Sequence, residues 1–508
     1  MPINTTNFQG NNIIQSGTAA MEPVYFPAAH PNPHVKMGRW FTPFVLMLLD
    51  YGLVFLALKS SLLLRDVVWP REVLSLPEIP LNEHVFYWTM PLFYIGFLIY
   101  EGLYTKRLPF WQSTQKLIKV GTYAAAFIIG AMYFAGATKT VSRLFVFATW
   151  LFSCFYLIVG RNIVKRVLEC VGLWRCPVII VGAGKTTELL AKAFEEEPGL
   201  GYEIVGVIDE GHKYNAANTN YPIIANFSFL EQAITSSGVS EVVIAMPELG
   251  RERLLELVYR IQPLVRKLNI VPDLLGLPLS NLETATFFNQ KAMMLRVGNN
   301  LVSWKNRFVK RLFDLCLGTL FLVLGFPIML IVAILIRMDS PGPILLRDRR
   351  IGKRGVEFPC YKFRTMYLNS DAILQKHLDE NEEARREWER FAKLRVYDPR
   401  VTRTGQWIRK WSLDELPQIF NVLKGDMSLV GPRPYLPRER DKMSYYIDTI
   451  LETTPGITGL WQVGGRNEID FNGRMSLDAW YVRNWGIWLD IVLLAKTVGV
   501  VVRRKGAY

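Results

Sequence analysis

The chain has 508 residues, of which half are hydrophobic, and it carries a formal net charge of +14. This hydrophobic share is high for a soluble protein and low for a pure transporter, so we predict a multidomain membrane protein with two to four domains. Recognised nucleic-acid-binding motifs are absent from the sequence, and the positive charge therefore favours lipid head groups and nucleotide phosphates as partners, with no nucleic acid. The five cysteines lack CxxC spacing, which argues against a zinc site or a disulfide framework and indicates a reducing compartment.

Residues 1–38 are rich in Asn, Thr, Gly and Pro, and we predict a disordered tail. Apolar stretches then follow at 41–64, 84–103, 118–137 and 144–161. Each has about the 20 residues that a helix needs to cross a bilayer, so residues 39–170 are predicted to form a four-helix transmembrane bundle.

Basic residues flank this bundle asymmetrically, and the positive-inside rule then puts both of its ends in the cytoplasm. Aromatic residues expected at the membrane interface are Trp40, Trp69, Trp88, Tyr104 and Trp111. The stretches show no charge-rich pathway, so an anchor or dimerisation module is favoured over transport.

Residues 174–290 are predicted to form a Rossmann-like α/β domain. Strand patterns at 177–181, 202–209 and 239–245 alternate with helical patterns that run to about 197 and over 250–266. Gly182, Gly184 and Asp209 form a possible nucleotide turn, but Thr187 replaces the third glycine of the dinucleotide fingerprint. Two interpretations stay open, a structural or regulatory module and a nucleotide-binding domain. Residues 267–300 are interpreted as a linker.

A further apolar run covers residues 315–336, which is long enough to cross a membrane. Pro327 lies near its middle and predicts a break or kink. Basic residues stand at both ends, which favours two cytoplasmic ends. We therefore predict a re-entrant helix over residues 307–337.

Residues 361–366 have the alternation of a strand, with Lys362 and Arg364 on one face, which is either a solvated basic face or part of a site. Farther along, Asp414 and Glu415 are adjacent and lie among cations. Such carboxylates suggest phosphate and Mg²⁺ chemistry. A capping box from Ser412 to Glu415 is the alternative, although Pro417 argues against it.

Six motifs stand in order in the last 200 residues. They are 310–314 (KRLFD), 361–366 (YKFRTM), 412–416 (SLDEL), 421–434 (NVLKGDMSLVGPRP), 455–459 (PGITG) and 465–467 (GRN). With these motifs, residues 300–508 resemble the catalytic domain of polyprenol-phosphate phosphoglycosyl transferases of the monotopic superfamily. The resemblance implies an α/β catalytic domain with a re-entrant membrane helix that is broken at Pro327.

The resemblance also implies roles for individual residues. Asp414 would be the nucleophile, and Glu415 would help to hold Mg²⁺ with it or orient groups around the phosphate. The cations implied for substrate binding are Lys362, Arg364, Arg409, Arg433 and Arg466.

The implied reaction transfers a sugar 1-phosphate from a UDP-sugar to undecaprenyl phosphate and releases UMP, through a covalent aspartyl intermediate. It is the first membrane step of O-antigen, capsule or exopolysaccharide synthesis. Whole-chain resemblance favours galactose as the sugar, with glucose as the alternative.

We expect a multi-pass protein of the bacterial inner (cytoplasmic) membrane, with membrane lipids as partners, cytoplasmic soluble domains and a homodimeric state. Two rival interpretations are a UDP-sugar dehydratase or oxidoreductase that uses the middle domain, and a non-enzymatic scaffold. The sequence of the middle domain lacks the Tyr-x-x-x-Lys pair that a dehydratase of this kind uses for its chemistry.

Overall fold

The computed structural model describes residues 33–68, 83–134, 143–210, 221–273, 282–287, 292–297, 300–301, 303–391, 394, 397–464 and 469–503. The chain divides into two compact units, Met1–Asp273 and Leu274–Tyr508. The first unit holds a helical bundle and a parallel sheet, and the second holds the adjacent carboxylates Asp414 and Glu415. The predicted tail over residues 1–38 lies almost wholly outside the described residues.

Four helices form the bundle, as predicted. They are α1 (Pro33–Val68), α2 (Glu83–Tyr100), α3 (Phe110–Phe134) and α4 (Arg143–Cys170). By length and composition, α3, α4 and the Phe41–Arg65 part of α1 are sufficient to cross a membrane, whereas α2 contributes a shorter apolar segment, Trp88–Tyr100. The third helix begins earlier than its apolar stretch, because its first turns carry polar residues.

The bundle encloses an ion pair that the sequence analysis missed. Asp50 is fully buried and lies 3.1 Å from the guanidinium of Arg161. Tyr104 donates a 2.6 Å hydrogen bond to Asp50 and is itself buried in the bundle. A buried carboxylate needs a counter-charge and donors, which Arg161 and Tyr104 supply.

A five-stranded parallel sheet follows, in the order β3-β2-β1-β4-β5. Its elements are β1 (Cys176–Val181), α5 (Lys185–Glu196), β2 (Tyr202–Ile208), β3 (Ile223–Ala225), α6 (Leu230–Ser237), β4 (Glu241–Ile244), α7 (Arg251–Ile261) and β5 (Lys267–Ile270). This parallel order and the alternation of strands and helices are typical of a Rossmann-like domain.

Helix α7 is shorter than the predicted helix over 250–266, and β5 lies in the segment that was predicted to be a linker. Both errors have one cause, because β5 is short and mostly exposed and so lacks the apolar run of a central strand. The same predicted linker contains an antiparallel hairpin of β6 (Leu282–Phe287) and β7 (Ala292–Val297).

The second unit is rich in helices. Its elements are α8 (Trp304–Asp339), β8 (Leu345–Ile351), β9 (Glu357–Phe363), α9 (Ser370–Glu380), α10 (Glu382–Phe391), α11 (Arg403–Lys410), α12 (Gln418–Lys424), β10 (Ser428–Val430), α13 (Ile447–Leu451), β11 (Gly456–Thr458), α14 (Leu460–Gly464), α15 (Phe471–Arg483) and α16 (Ile487–Arg503). Strands β8 and β9 form an antiparallel ribbon, and β10 pairs with β11 in parallel.

Helix α8 is long and apolar enough to cross a membrane. The predicted break at Pro327 is not present, because α8 continues as one helix from Trp304 to Asp339. A proline inside a helix removes one hydrogen bond and favours a bend, and neither effect requires the helix to end.

Buried polar contacts attach the first half of α8 to the rest of the unit. Lys310 lies 2.8 Å from Asp490 and also donates to the carbonyl of Val430. Asp490 accepts a further hydrogen bond from Tyr481, which is buried with it. Tyr481 and Trp485 are therefore core residues of this unit.

The Lys310–Asp490 pair gives a stability prediction. Replacing Lys310 by Met leaves Asp490 buried without its counter-charge, which costs about 3–5 kcal/mol. Thermal unfolding of the full chain in nanodiscs should show a clear fall in Tm. The double variant Lys310→Met with Asp490→Leu should recover much of that loss. Lys376→Met is the matched control, since its pair with Glu380 is exposed, and it should leave Tm unchanged. Equal Tm values for Lys310→Met and this control would contradict the prediction.

Candidate active site

Asp414 and Glu415 lie in a single turn of 3₁₀-helix, Leu413–Glu415, between α11 and α12. Ser412 enters this turn with φ of 53°, a left-handed conformation that few residues other than glycine adopt. An N-cap residue needs an extended backbone, and the Ser412 side chain makes no capping hydrogen bond. The capping-box interpretation is therefore wrong, and the two carboxylates are free for other contacts.

Lys362, on β9, is the direct partner of this carboxylate pair. Its Nζ donates a 2.9 Å hydrogen bond to Oε1 of Glu415, and both side chains are partly buried. Burial opposes the charge of Lys362, but Glu415 and, less strongly, Asp414 outweigh it and raise the pKa of this lysine. The ammonium group therefore stays charged beside the carboxylates.

Asp414 is the carboxylate whose ionisation is opposed. Burial and then the neighbouring charge of Glu415 raise its pKa above the usual 3.8, while Lys362 and Arg409 act in the opposite direction. Arg409 is half-buried at the end of α11, where its Nε donates a 2.9 Å hydrogen bond to the Thr365 hydroxyl. Two cations thus offset two adjacent carboxylates.

Asn421 explains why the turn and β9 lie side by side. This fully buried residue of α12 accepts a hydrogen bond from the Tyr361 amide at 3.0 Å and donates to the Pro359 carbonyl at 2.8 Å. Lys424, from the same helix, donates to the Tyr361 hydroxyl at 2.7 Å. Helix α12 is therefore fixed along β9, and the turn that precedes α12 is brought next to Lys362.

Arg364 does not share a face with Lys362. Strand β9 ends at Phe363, so the alternation that the sequence analysis extended to Arg364 has already stopped. The guanidinium of Arg364 is buried and donates to the carbonyls of Ser340 and Pro341, both at 2.7 Å. It joins β9 to the segment after α8, and the structure does not bring it to the carboxylates.

Arg433 belongs to a second cluster. Its guanidinium lies 5.7 Å from the centroid of the Trp461 ring, and Arg474 lies 5.0 Å from the same ring. The backbone N–H of Arg433 donates to the buried carboxylate of Asp478 at 3.1 Å, and Tyr435 donates to the same oxygen at 2.9 Å. Arg466 lies outside the described residues.

The second cluster includes residues that the sequence analysis missed, namely Trp461, Arg474 and Asp478. The only sequence signal concerns the helix that carries Arg474: Asp470 is a favourable N-cap residue, and it does cap the start of α15. Nothing in the sequence marks Asp478 as buried, since a carboxylate in a helix is usually solvated.

The possible nucleotide turn of the middle domain is closed by its own side chains. Gly182 has φ of 104°, and a Cβ at this position would meet Met246 and the Ala245 carbonyl, so glycine is required there. Asp209 accepts a hydrogen bond from the Ala183 amide at 3.2 Å, and Thr187 donates to the Gly182 carbonyl. Gly184 is the residue before α5. These contacts account for the turn as a structural element, and nucleotide binding there stays a prediction.

The fold and the site together define a membrane-associated enzyme with a carboxylate pair among cations. The sequence model of the bacterial sugar transferases matches residues 305–504, and that of a CoA-binding domain matches residues 103–272. The undecaprenyl-phosphate galactose phosphotransferase of Salmonella typhimurium is 37% identical over 410 residues, which is 80% of this chain and 84% of that protein.

Two more relatives extend this comparison. The UDP-galactose-lipid carrier transferase of Erwinia amylovora is 36% identical over 80% of this chain and 84% of its own length. The UDP-glucose:undecaprenyl-phosphate glucose-1-phosphate transferase of Escherichia coli is 30% identical over 65% of this chain and 68% of its own length. The chain therefore belongs to the bacterial sugar transferases, the family of polyprenol-phosphate phosphoglycosyl transferases, and it is a transferase.

Asp478 provides a pH-dependent stability prediction. Burial raises its pKa from 3.8 to about 7, so the folded protein holds this proton more tightly than the unfolded chain. The protonated Asp478 therefore contributes to the free energy of unfolding. This contribution is fully present below pH 3.8 and is lost as the pH rises to about 7, and its size is about 1.4 kcal/mol for each unit by which the pKa is raised. Asp478→Asn should therefore raise Tm relative to the wild type at pH 8, and this difference should shrink at pH 5. Asp441→Asn, at an exposed position, is the control. A difference that is the same at both pH values would contradict the assignment.

Proposed function

We propose that this enzyme transfers a hexose 1-phosphate from a UDP-hexose to undecaprenyl phosphate and releases UMP. The observation that carries the proposal is the partly buried carboxylate pair beside Lys362 and Arg409. Galactose is the favoured hexose, since the relatives named for galactose align with 80% of this chain, and glucose is the alternative. The relatives' names lend no support to a dehydratase reaction in the middle domain.

In the first half-reaction, a carboxylate oxygen of Asp414 attacks the β-phosphorus of the UDP-hexose. The bond between that phosphorus and the bridging oxygen breaks, and UMP leaves with the bonding electrons. Asp414 then carries the hexose phosphate as an acyl phosphate. The attack needs an ionised carboxylate, so the cations that lower the pKa of Asp414 also favour its reactivity.

In the second half-reaction, an oxygen of undecaprenyl phosphate attacks the same phosphorus. The bond to Asp414 breaks, the free carboxylate is restored, and the product is a lipid diphosphate sugar. Lys362 and Arg409 remain near the carboxylates throughout, where their charges offset the negative charge of the phosphoryl group. We assign Arg433 and Arg466 to the phosphates of the substrates, and we leave Arg364 out of the site because its guanidinium is engaged elsewhere.

Asp414 and Glu415 fit a magnesium ion that is completed by substrate. Among the described residues, no three His, Cys, Asp or Glu side chains form a group that could hold a metal by themselves. Mg²⁺ typically takes one or two protein carboxylates, several waters and substrate phosphates, which is the donor set that Asp414 and Glu415 provide. When bound, the ion would neutralise phosphate charge. Lys362 holds Glu415 in place for this role.

We further propose that α8 enters the membrane from the cytoplasm and returns to the same side. In the first half of α8, Gly318 faces Val422 and Leu423 of α12. Near the end of α8, Val332 and Ile336 belong to the same hydrophobic core cluster as Val422. The middle of α8 instead exposes large apolar side chains: Leu320, Phe321, Val323, Leu324, Phe326 and Ile328. A helix with both ends on one domain and an apolar middle suits a bend at Pro327 inside one leaflet.

This arrangement keeps the carboxylates at the cytoplasmic face of the bacterial inner membrane, where a lipid phosphate lies. The reaction would begin the assembly of an O-antigen, a capsule or an exopolysaccharide. The bundle of α1 to α4 would anchor the enzyme and support a homodimer.

The role of Asp414 is tested by Asp414→Asn. We expect loss of at least about 10³-fold in UMP release, because the amide is a poor nucleophile. Tm should not fall, since the substitution removes a partly buried charge. The measurement is UMP release from UDP-galactose and UDP-glucose in the presence of undecaprenyl phosphate, with Asp441→Asn as the control for an exposed aspartate. Full turnover by Asp414→Asn would refute the mechanism.

The path of α8 is tested by cysteine labelling with a membrane-impermeant maleimide. Cysteines at Lys305 and at Met338, which are exposed near the two ends of α8, should both react in inverted inner-membrane vesicles and neither in spheroplasts. The labelling of the unsubstituted protein, which has exposed cysteines of its own, is subtracted from that of each variant. Ser75→Cys, in the predicted periplasmic connection, should show the opposite pattern. Reaction of one end in each preparation would mean that α8 spans the membrane.

A further inference from the structure

Two guanidinium groups lie over one aromatic ring in the second cluster. Arg433 and Arg474 are 5.7 and 5.0 Å from the centroid of Trp461, a ring that is almost wholly buried. Stacking on an aromatic face stabilises a guanidinium and leaves the N–H groups at its edge available. Two like charges on one ring nevertheless repel each other, so the arrangement calls for a compensating anion.

The described part of the chain does not supply that anion. The guanidinium of Arg433 makes no hydrogen bond or ion pair there, and Arg474 uses only its Nε, which donates to the Ile469 carbonyl at 2.9 Å. Both side chains are only half-buried, so their remaining N–H groups are open to a ligand.

Asp478, the buried carboxylate of this cluster, attracts Arg433 electrostatically, but in the part of the chain that the structure describes it forms no ion pair with either guanidinium. One of its oxygens already accepts from the Arg433 backbone and from Tyr435. Burial raises the pKa of Asp478 to about 7, so this carboxyl is only partly ionised near neutral pH. Its second oxygen, Oδ1, is buried without a partner.

Trp461 supplies an independent observation. Its indole Nε1 is a buried donor, and no residue that the structure describes accepts from it. An indole N–H that is buried without an acceptor is destabilising, and an oxygen of a bound ligand would relieve this by accepting a hydrogen bond from it. The unpaired indole donor and the two guanidinium groups, whose remaining N–H groups have no partner among the described residues, thus lie around one ring.

We propose that Arg474 and Trp461 form, with Arg433, a binding subsite for a substrate phosphate group. This inference rests on the proposed function for its choice of phosphate, and it adds Arg474 and Trp461 as substrate-binding residues. The phosphate is either that of the nucleotide, in UDP-hexose and UMP, or that of undecaprenyl phosphate. Guanidinium groups suit both, because their N–H groups match phosphate oxygens in pairs.

The test compares Arg474→Gln, Arg474→Lys and Trp461→Phe with the wild type. Arg483→Gln is the matched control, because Arg483 is an exposed arginine of the same helix, α15. We expect Arg474→Gln to raise one KM about tenfold or more, with a smaller change in kcat, and Arg474→Lys to restore part of the loss. Trp461→Phe keeps an aromatic face but loses the five-membered ring of the indole with its N–H, and it should raise the same KM by a smaller factor.

The two sources of phosphate give different results. A higher KM for UDP-hexose together with weaker inhibition by UMP assigns the subsite to the nucleotide. A higher KM for undecaprenyl phosphate alone assigns it to the lipid. Unchanged KM values for both substrates, or changes equal to those of Arg483→Gln, would overturn the inference.

Direct binding of UMP and of undecaprenyl phosphate, measured by calorimetry on the full chain in nanodiscs without turnover, separates this inference from the proposed function. If Arg474→Gln weakens binding of either ligand while the wild type transfers no hexose phosphate, the subsite stands and the proposed reaction fails. If the wild type is active and both ligands bind Arg474→Gln as they bind the wild type, only the subsite is refuted. Tm values equal to that of the wild type confirm that each variant is folded.

Discussion

The site depends on keeping two carboxylates that are neighbours in sequence ionised within a partly buried turn. Burial and mutual repulsion both oppose the charge of Asp414, and Lys362 and Arg409 offset them. The hydrogen bond from Lys362 to Glu415 also fixes which carboxylate is engaged and leaves Asp414 as the proposed nucleophile. Without these cations, the pKa of the Asp414 carboxyl, which has to attack phosphorus, would be raised further.

The surrounding fold brings the cations and the carboxylates together. Asn421 fixes α12 against β9, and this contact brings a lysine of the strand to a turn more than 50 residues away in sequence. Lys310 and Asp490 attach α8 to the same domain, so the apolar helix and the carboxylates belong to one compact unit. In the proposed mechanism, this attachment places a charged site where a lipid phosphate can reach it.

Much of this organisation could be predicted from sequence. The apolar stretches correspond to helices, the strands β1, β2 and β4 have buried β-branched runs, and the motifs around Asp414 led to the correct family. The failures have physical causes. Arg364 lies one residue past the end of β9, where alternation no longer holds, and Ser412 adopts a left-handed backbone that a capping pattern cannot show. The pairing of Asp50 with Arg161 and the cluster at Trp461 are tertiary contacts between distant residues, which periodicity does not encode.

The central claim is that Asp414 becomes covalently attached to the hexose phosphate. The most direct measurement incubates the full chain with UDP-galactose, and separately with UDP-glucose, without any lipid acceptor, and maps modified peptides by mass spectrometry. The account predicts UMP release of at most one equivalent per enzyme and a hexose phosphate on the peptide that contains Asp414, which undecaprenyl phosphate then removes. Release of UMP only when the lipid is present, with an unmodified Asp414 peptide, would indicate direct transfer between substrates and would contradict the account.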